Sequence, residues 1–202
     1  MDNQKNHIIL GLVLLITLTA VIFISWLLFD YMRLKKELNE SLNGFATIIE
    51  SEKFDDLSLT IYYTSLTMDT YRPWNVDDMI RNGGKIVIDG NSLKAHINVL
   101  KQVNNVNLVP VIWKSYLNAR IYYIFETKIN GKILEGAMWG YNEYVNKYNI
   151  IFVNGIAIKG NDIFYEIIIP FLPEHIAEGL KTFLSTWIQN DMKNDNIKIA
   201  ND

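Results

Sequence analysis

The sequence predicts an α+β protein. A single N-terminal transmembrane helix continues into an amphipathic stalk, and an antiparallel β-meander follows, with one internal helix and a C-terminal helix packed on the sheet. Three observations carry this. Ile8–Phe29 is apolar and free of charge; an apolar stripe in steps of three and four runs from Tyr31 to Ile49; and from Val106 the period shortens to two, with turn residues between the runs. The chain divides into a tail (1–7), the transmembrane helix (8–29), the stalk (30–52), a globular α+β domain (53–190) and a polar tail (191–202).

The 22 residues of Ile8–Phe29 would be roughly 33 Å long as a helix, enough to cross a hydrocarbon core of about 30 Å. The run is too long for a signal-peptide core and ends in Trp26-Leu27-Leu28-Phe29-Asp30 without a small-residue cleavage pattern. Trp26, Phe29 and Tyr31 mark a membrane–water interface. Orientation is contested. Arg33, Lys35 and Lys36 favour a cytoplasmic domain, whereas a short N-terminal tail ahead of a lone anchor is the layout of outward-facing proteins, and the reading leans extracytoplasmic.

In the stalk, Tyr31, Leu34, Leu38, Leu42, Phe45 and Ile49 share one face, and Lys36–Glu40 is an i,i+4 pair. That stripe either packs on the domain, which is favoured, or pairs with a second copy as a short coiled coil. Asn43-Gly44 is a weak point in the helix. Leu57–Leu66 reads as a strand, Val76–Arg81 as a short helix capped by Asn75, Lys85–Asp89 as a strand, and Leu93–Val103 as a helix. Val106–Trp113 reads as an edge or bent strand interrupted by Pro110. Asn118–Ile129 and Lys132–Trp139 form a hairpin about Asn130-Gly131, read as a type I′ turn. A loop, 140–149, is followed by strands Ile150–Ile158 and Asp162–Ile169. The last helix opens at Pro173 and carries Ile176, Leu180, Phe183, Leu184, Trp187 and Ile188 on one side.

Composition narrows function by exclusion. With no cysteine there are no disulfides, thiolate metal sites or cysteine nucleophiles. A net charge of −3 without a basic block gives no footprint for nucleic acid. The three histidines, His7, His96 and His175, lack metal-ligand spacing, so no metal or cofactor is expected. Gly83-Gly84-Lys85 lacks phosphate-loop spacing, and no serine has an identifiable base partner.

Two acidic pairs remain. Asp77 and Asp78 would be first-turn helix charges or, alternatively, an acidic site. A symmetrical hairpin would set Glu126 opposite Glu135, a destabilising like-charge pair unless a bulge shifts the register or a cation binds. Trp139, Tyr141, Tyr144 and Tyr148, with Trp74 in another loop, complete a candidate binding surface. The expected protein is a single-pass membrane protein with a non-catalytic binding or assembly domain, an accessory or subunit of an envelope complex. Its partners are the membrane and either another protein or a second copy through the stalk. The alternatives are a membrane-tethered hydrolase using one of the acidic pairs on envelope material, and a structural oligomer held by the stalk.

Overall fold

The computed structural model describes residues 2–112, 115–142 and 147–185, with side chains from residue 9 onward except 104, 105 and 139–149. One helix, α1 (Asp2–Glu50), unites anchor and stalk in 49 unbroken residues, roughly 74 Å of rod. Its most apolar window has a mean hydropathy of 2.7 and no buried residue, so α1 is long and apolar enough to cross a membrane. The two hydroxyls mid-run bond back into the helix, Thr17 to the Val13 carbonyl at 2.7 Å and Thr19 to the Ile16 carbonyl at 2.8 Å. Neither hydroxyl needs water. Gly44 does not break the helix; it sits on the exposed side with open space around it.

The second half of α1 behaves differently. Leu38, Leu42, Phe45 and Ile49 are buried, and the Phe45 ring meets Phe125 edge-on at 4.9 Å. Burying four such side chains is worth roughly 6–12 kcal/mol as an upper estimate, the scale of a domain's whole stability. From Leu38 onward the stripe packs on the domain, as the sequence favoured, while Tyr31 and Leu34 are only half-buried. Polar neighbours stay outside: Arg33 bridges Asp30 at 2.6 Å and Glu37 at 2.9 Å, and Lys36 lies 3.7 Å from Glu40.

Six antiparallel strands form one sheet in the order β2-β1-β3-β4-β5-β6. They are β1 (Leu57–Tyr63), β2 (Gly84–Asp89), β3 (Tyr116–Thr127), β4 (Gly131–Asn142), β5 (Lys147–Val153) and β6 (Ile156–Lys159). Between β1 and β2 lies α2 (Val76–Asn82), started by a capping box in which Asn75 and Asp78 exchange bonds. One face of the sheet carries the main core, built from Leu59, Ile61, Tyr123, Phe125, Leu134 and Val153 with α1 and the helices after β2. A helix at 174–185 brings Ile176, Leu180 and Leu184 to that core, while Trp187 and Ile188 lie outside the described residues.

Four expectations are corrected. The β3–β4 connection is not a type I′ turn about Asn130-Gly131, because Thr127 pairs with Gly131 and, of the two, only Gly131 has positive φ, at 66°. It is a three-residue loop, Lys128–Asn130, closed by a left-handed glycine. The type I′ turn lies instead at Asn154-Gly155 (φ 48° and 77°), which splits the expected strand Ile150–Ile158 into β5 and β6. Asp162–Ile169 is not a strand. It holds a short helix at Ile163–Glu166, with a further turn at Ile169–Phe171. Its side chains are buried nearly all round, so periodicity could not separate helix from strand. Of the segment expected as an edge or bent strand, 106–113, the described residues 106–112 make one isolated bridge, Pro110 to Ile158. Val111 donates to Ala157 and Lys159 to Val109, and Pro110 has no N–H with which to extend the ladder.

The internal helix also differs from its expected form. Asp89 caps the Ser92 N–H at 2.8 Å, so α3 (Gly90–Lys94) starts earlier than Leu93. The chain bends at Ala95-His96 and continues as α4 (Ile97–Leu100) and a turn at Lys101–Asn105. Leu93, Leu100 and Val103 still reach the core.

Candidate functional site

The second face of the sheet is where candidate site residues gather. Cross-strand pairing places them in rows. Lys85, Tyr62, Tyr122, Ala137 and Phe152 stand side by side; next come Val87, Thr60, Ile124 and Glu135; then Asp89, Ser58, Glu126 and Lys132. Among the described residues, only one end of this face is roofed. There Met79 of α2, with Trp74 and Val76, packs on Ala119, Tyr122 and Ala137 as a second, small core. Lys85, Val87 and Lys132 are exposed, while Ile124, Glu126 and Phe152 are half-buried.

Polar chemistry on the open face centres on Glu135. Its carboxylate accepts from the Tyr122 hydroxyl at 2.6 Å and lies 3.0 Å from the Lys132 ammonium. Its N–H donates to the Asn154 side chain at 2.8 Å, tying the β5–β6 turn to β4. Burial first, then the bond to Glu135, pushes the Tyr122 phenol well above its ordinary pKa, so Tyr122 is a fixed donor and not a base. Tyr62 stacks on Tyr122 with ring centres 6.0 Å apart, and the Lys85 ammonium stands 5.6 Å from the Tyr62 ring. Together they make a ribbon of cation, ring, ring, carboxylate and cation across the open face.

The expected opposition of Glu126 and Glu135 does not occur. A register shift between Phe125 and Glu126 sets Glu126 opposite Lys132 and Glu135 opposite Ile124. The bulge replaces a repulsive pair with an attractive one. Asp78 is buried and held at both oxygens by Arg72, at 2.6 and 2.7 Å, while also accepting from the Asn75 N–H. The Arg72 bonds, aided by Asn75, draw its pKa down to about 2. Its neighbour Asp77 is exposed on the first turn of α2. Trp74 belongs to the roof. The backbones of Trp139 and Tyr141 lie in β4 and that of Tyr148 in β5, with their side chains outside the described residues, as is the whole of Tyr144.

Sequence reasoning overlooked Arg120. It is 4% exposed, and its guanidinium donates to Asn118 Oδ1 and to the carbonyls of Ala119 and Met68, with Nε left without a partner. Desolvation pushes its pKa down, partly offset by Asp69. These bonds, with Trp74 N–H to Asn118 at 3.2 Å and Ala119 N–H to Trp74 at 2.8 Å, lace the 64–75 segment to β3 and so fix the roof. The only signal was a lone arginine in the apolar run Ala119–Phe125.

A cleft of about 510 Å³ opens at the edge of this face, where β1 begins and β2 ends, lined by Asp55, Asp56, Val87, Asp89, Lys128 and Phe171. Asp56 lies 3.8 Å from Lys128, and Asp89 is the α3 cap. Neither Asp77/Asp78 nor Glu126/Glu135 lines this cleft. His96 packs edge-on against Phe171 at 4.9 Å, and among the described residues no three His, Asp or Glu side chains come together as a metal site. Comparison with protein-family models, with curated proteins and with solved structures finds no match to this chain.

Proposed function

We propose that the chain is a single-pass membrane protein whose domain is a non-catalytic binding or assembly module, an accessory or subunit of an envelope complex. The observation that carries this is the combination in α1. An unburied apolar segment is continuous with a segment built into the domain core, so the domain is held rigidly near the bilayer. Leu38 is the first fully buried stalk residue; nine residues beyond Phe29, it stands roughly 14 Å along the helix from the apolar run. The binding surface is the open sheet face, with Tyr62 and the charged groups Lys132, Glu135 and Glu126 as its contact groups and a protein as its partner. The domain faces the extracytoplasmic side.

Support for a binding role is chemical. Glu135 is paired with Lys132 and Glu126 is opposed by it, and neither acidic pair expected from the sequence lines the described cleft, which weighs against the hydrolase reading. From Leu38 onward the stalk stripe is covered by the domain, which weighs against an oligomer held by the stalk. A photo-reactive residue at Ser58, on the open face, tests the surface in intact membranes. The expected result is one discrete protein adduct, lost when Tyr62→Ser and Lys132→Glu are combined. An adduct that survives both changes refutes the assignment. Protease added outside intact cells is expected to remove a C-terminal tag, and protection of the tag would reverse the orientation.

A further inference from the structure

The two edges of the sheet are treated differently. Beyond β6, the 109–111 segment donates and accepts one backbone bond each with Ala157 and Lys159. Beyond β2, no described residue pairs with the strand. Uncovered edges are normally blunted by short length, proline, a bulge or charged side chains, lysine especially, and of these β2 has only its exposed end charges, Lys85 and Asp89, and modest length. β2 reads Gly-Lys-Ile-Val-Ile-Asp, pairs with β1 residue for residue without a bulge, and leaves Val87 61% exposed.

That strand is complementary to itself. Antiparallel pairing of two copies about a two-fold axis at Val87 sets Lys85 of each opposite Asp89 of the other, with Ile86 opposite Ile88 and Val87 opposite Val87. Lys85, Val87 and Asp89 share the open face, and Ile86 and Ile88 share the core face, so every facing pair matches in chemistry. The second copy's Lys85 also arrives beside the cleft lined by Asp55, Asp56 and Asp89, where Lys128 is the one lysine among the lining residues. From these features we infer that β2 is a dimer interface, and that its occupant is β2 of a second copy, joining two six-stranded sheets into one.

This inference uses the outer edge of β2 and none of Tyr62, Glu126, Lys132 and Glu135, so it stands apart from the binding role assigned above. One short strand pair buries less than a standard interface, so the dimer is weak in dilute solution and favoured by confinement on a shared bilayer. Sheet twist of roughly 20–25° per strand accumulates to about 60–75° between β2 and β4. An anchor continuing from a stalk packed over β3 and β4 is therefore not confined to the plane in which β2 pairs.

The absence of cysteine from the sequence makes the test direct. The full-length chain carrying Val87→Cys, oxidised in its membranes, is expected to form a disulfide-linked dimer across the axis. Lys85→Cys alone is expected to remain monomeric, whereas Lys85→Cys co-expressed with Asp89→Cys is expected to cross-link. Adding Lys85→Glu to Val87→Cys turns two attractions into two repulsions and is expected to lower the dimer yield roughly tenfold. The inference is overturned if folded Val87→Cys stays monomeric, if it links to a different protein, or if Lys85→Cys alone dimerises equally well.

Discussion

Replacing Phe45 with alanine asks whether the second half of α1 belongs to the domain core. Phe45 is fully buried, lies between Leu42 and Ile49 on the covered stripe, and packs its ring edge-on against Phe125 of β3. Truncating a buried phenylalanine costs about 3–5 kcal/mol, part of it the lost ring–ring contact. That is a large fraction of the roughly 5–15 kcal/mol that holds a typical domain together. Urea denaturation of the full-length chain in detergent, followed by the fluorescence of its five tryptophans, reads the change. With a slope of about 2 kcal/mol per molar, the midpoint is expected to fall by roughly 1.5–2.5 M. The exposed neighbour Asn39→Ala serves as the control. A loss below about 1 kcal/mol for Phe45→Ala, equal to that of Asn39→Ala, would refute the assignment of this half-helix to the core.

Three further outcomes are expected. Gly136→Ala would drive a Cβ into the buried Tyr123 ring, closer than side chains approach one another. The cost is about 1–3 kcal/mol, measured by the same denaturation, and a silent change would contradict that close approach. Gly155→Ala, at φ 77°, costs roughly 1–2 kcal/mol, whereas Asn130→Ala is nearly silent; equal effects would contradict the placing of the type I′ turn. Asp78 has a folded pKa of about 2 against an ordinary 3.8, because Arg72 and the Asn75 N–H hold its ionised form. A depressed carboxylate contributes stability that is complete above the unfolded pKa and is lost as pH falls through the folded one. Melting temperature is therefore expected to fall between about pH 4 and pH 2 with a component absent in Asp78→Asn, and identical acid profiles would remove that carboxylate from the account.

Much of the fold was legible because local chemistry and tertiary packing agreed. The stripe Leu38–Ile49 reads as helix and is buried as helix, and Asn75 with Asp78 announces the capping box that starts α2. The misreadings share a cause, which is that a dipeptide or an apolar run fits two structures and the surroundings choose. Asn-Gly occurs at 130–131 and at 154–155, and both suit a type I′ turn, yet only the second has positive φ at both residues. Ile163–Ile168 is buried on nearly all sides, which suits a buried strand or a buried helix equally. The site was legible only as ingredients. Glu126 and Glu135 were visible, but the shift at Phe125–Glu126 that gives each a different neighbour was not. Arg120 could not be placed, since its partners Met68 and Thr70 lie some fifty residues away in the chain.

Carbonate extraction of membranes from cells making the chain with a tag at each end tests the central claim most directly. One polypeptide bearing both tags is expected to stay in the pellet, with Ile8–Phe29 retained and spanning the bilayer as part of α1. Release of the chain into the supernatant, or a soluble C-terminal fragment that has lost the N-terminal tag, would contradict it.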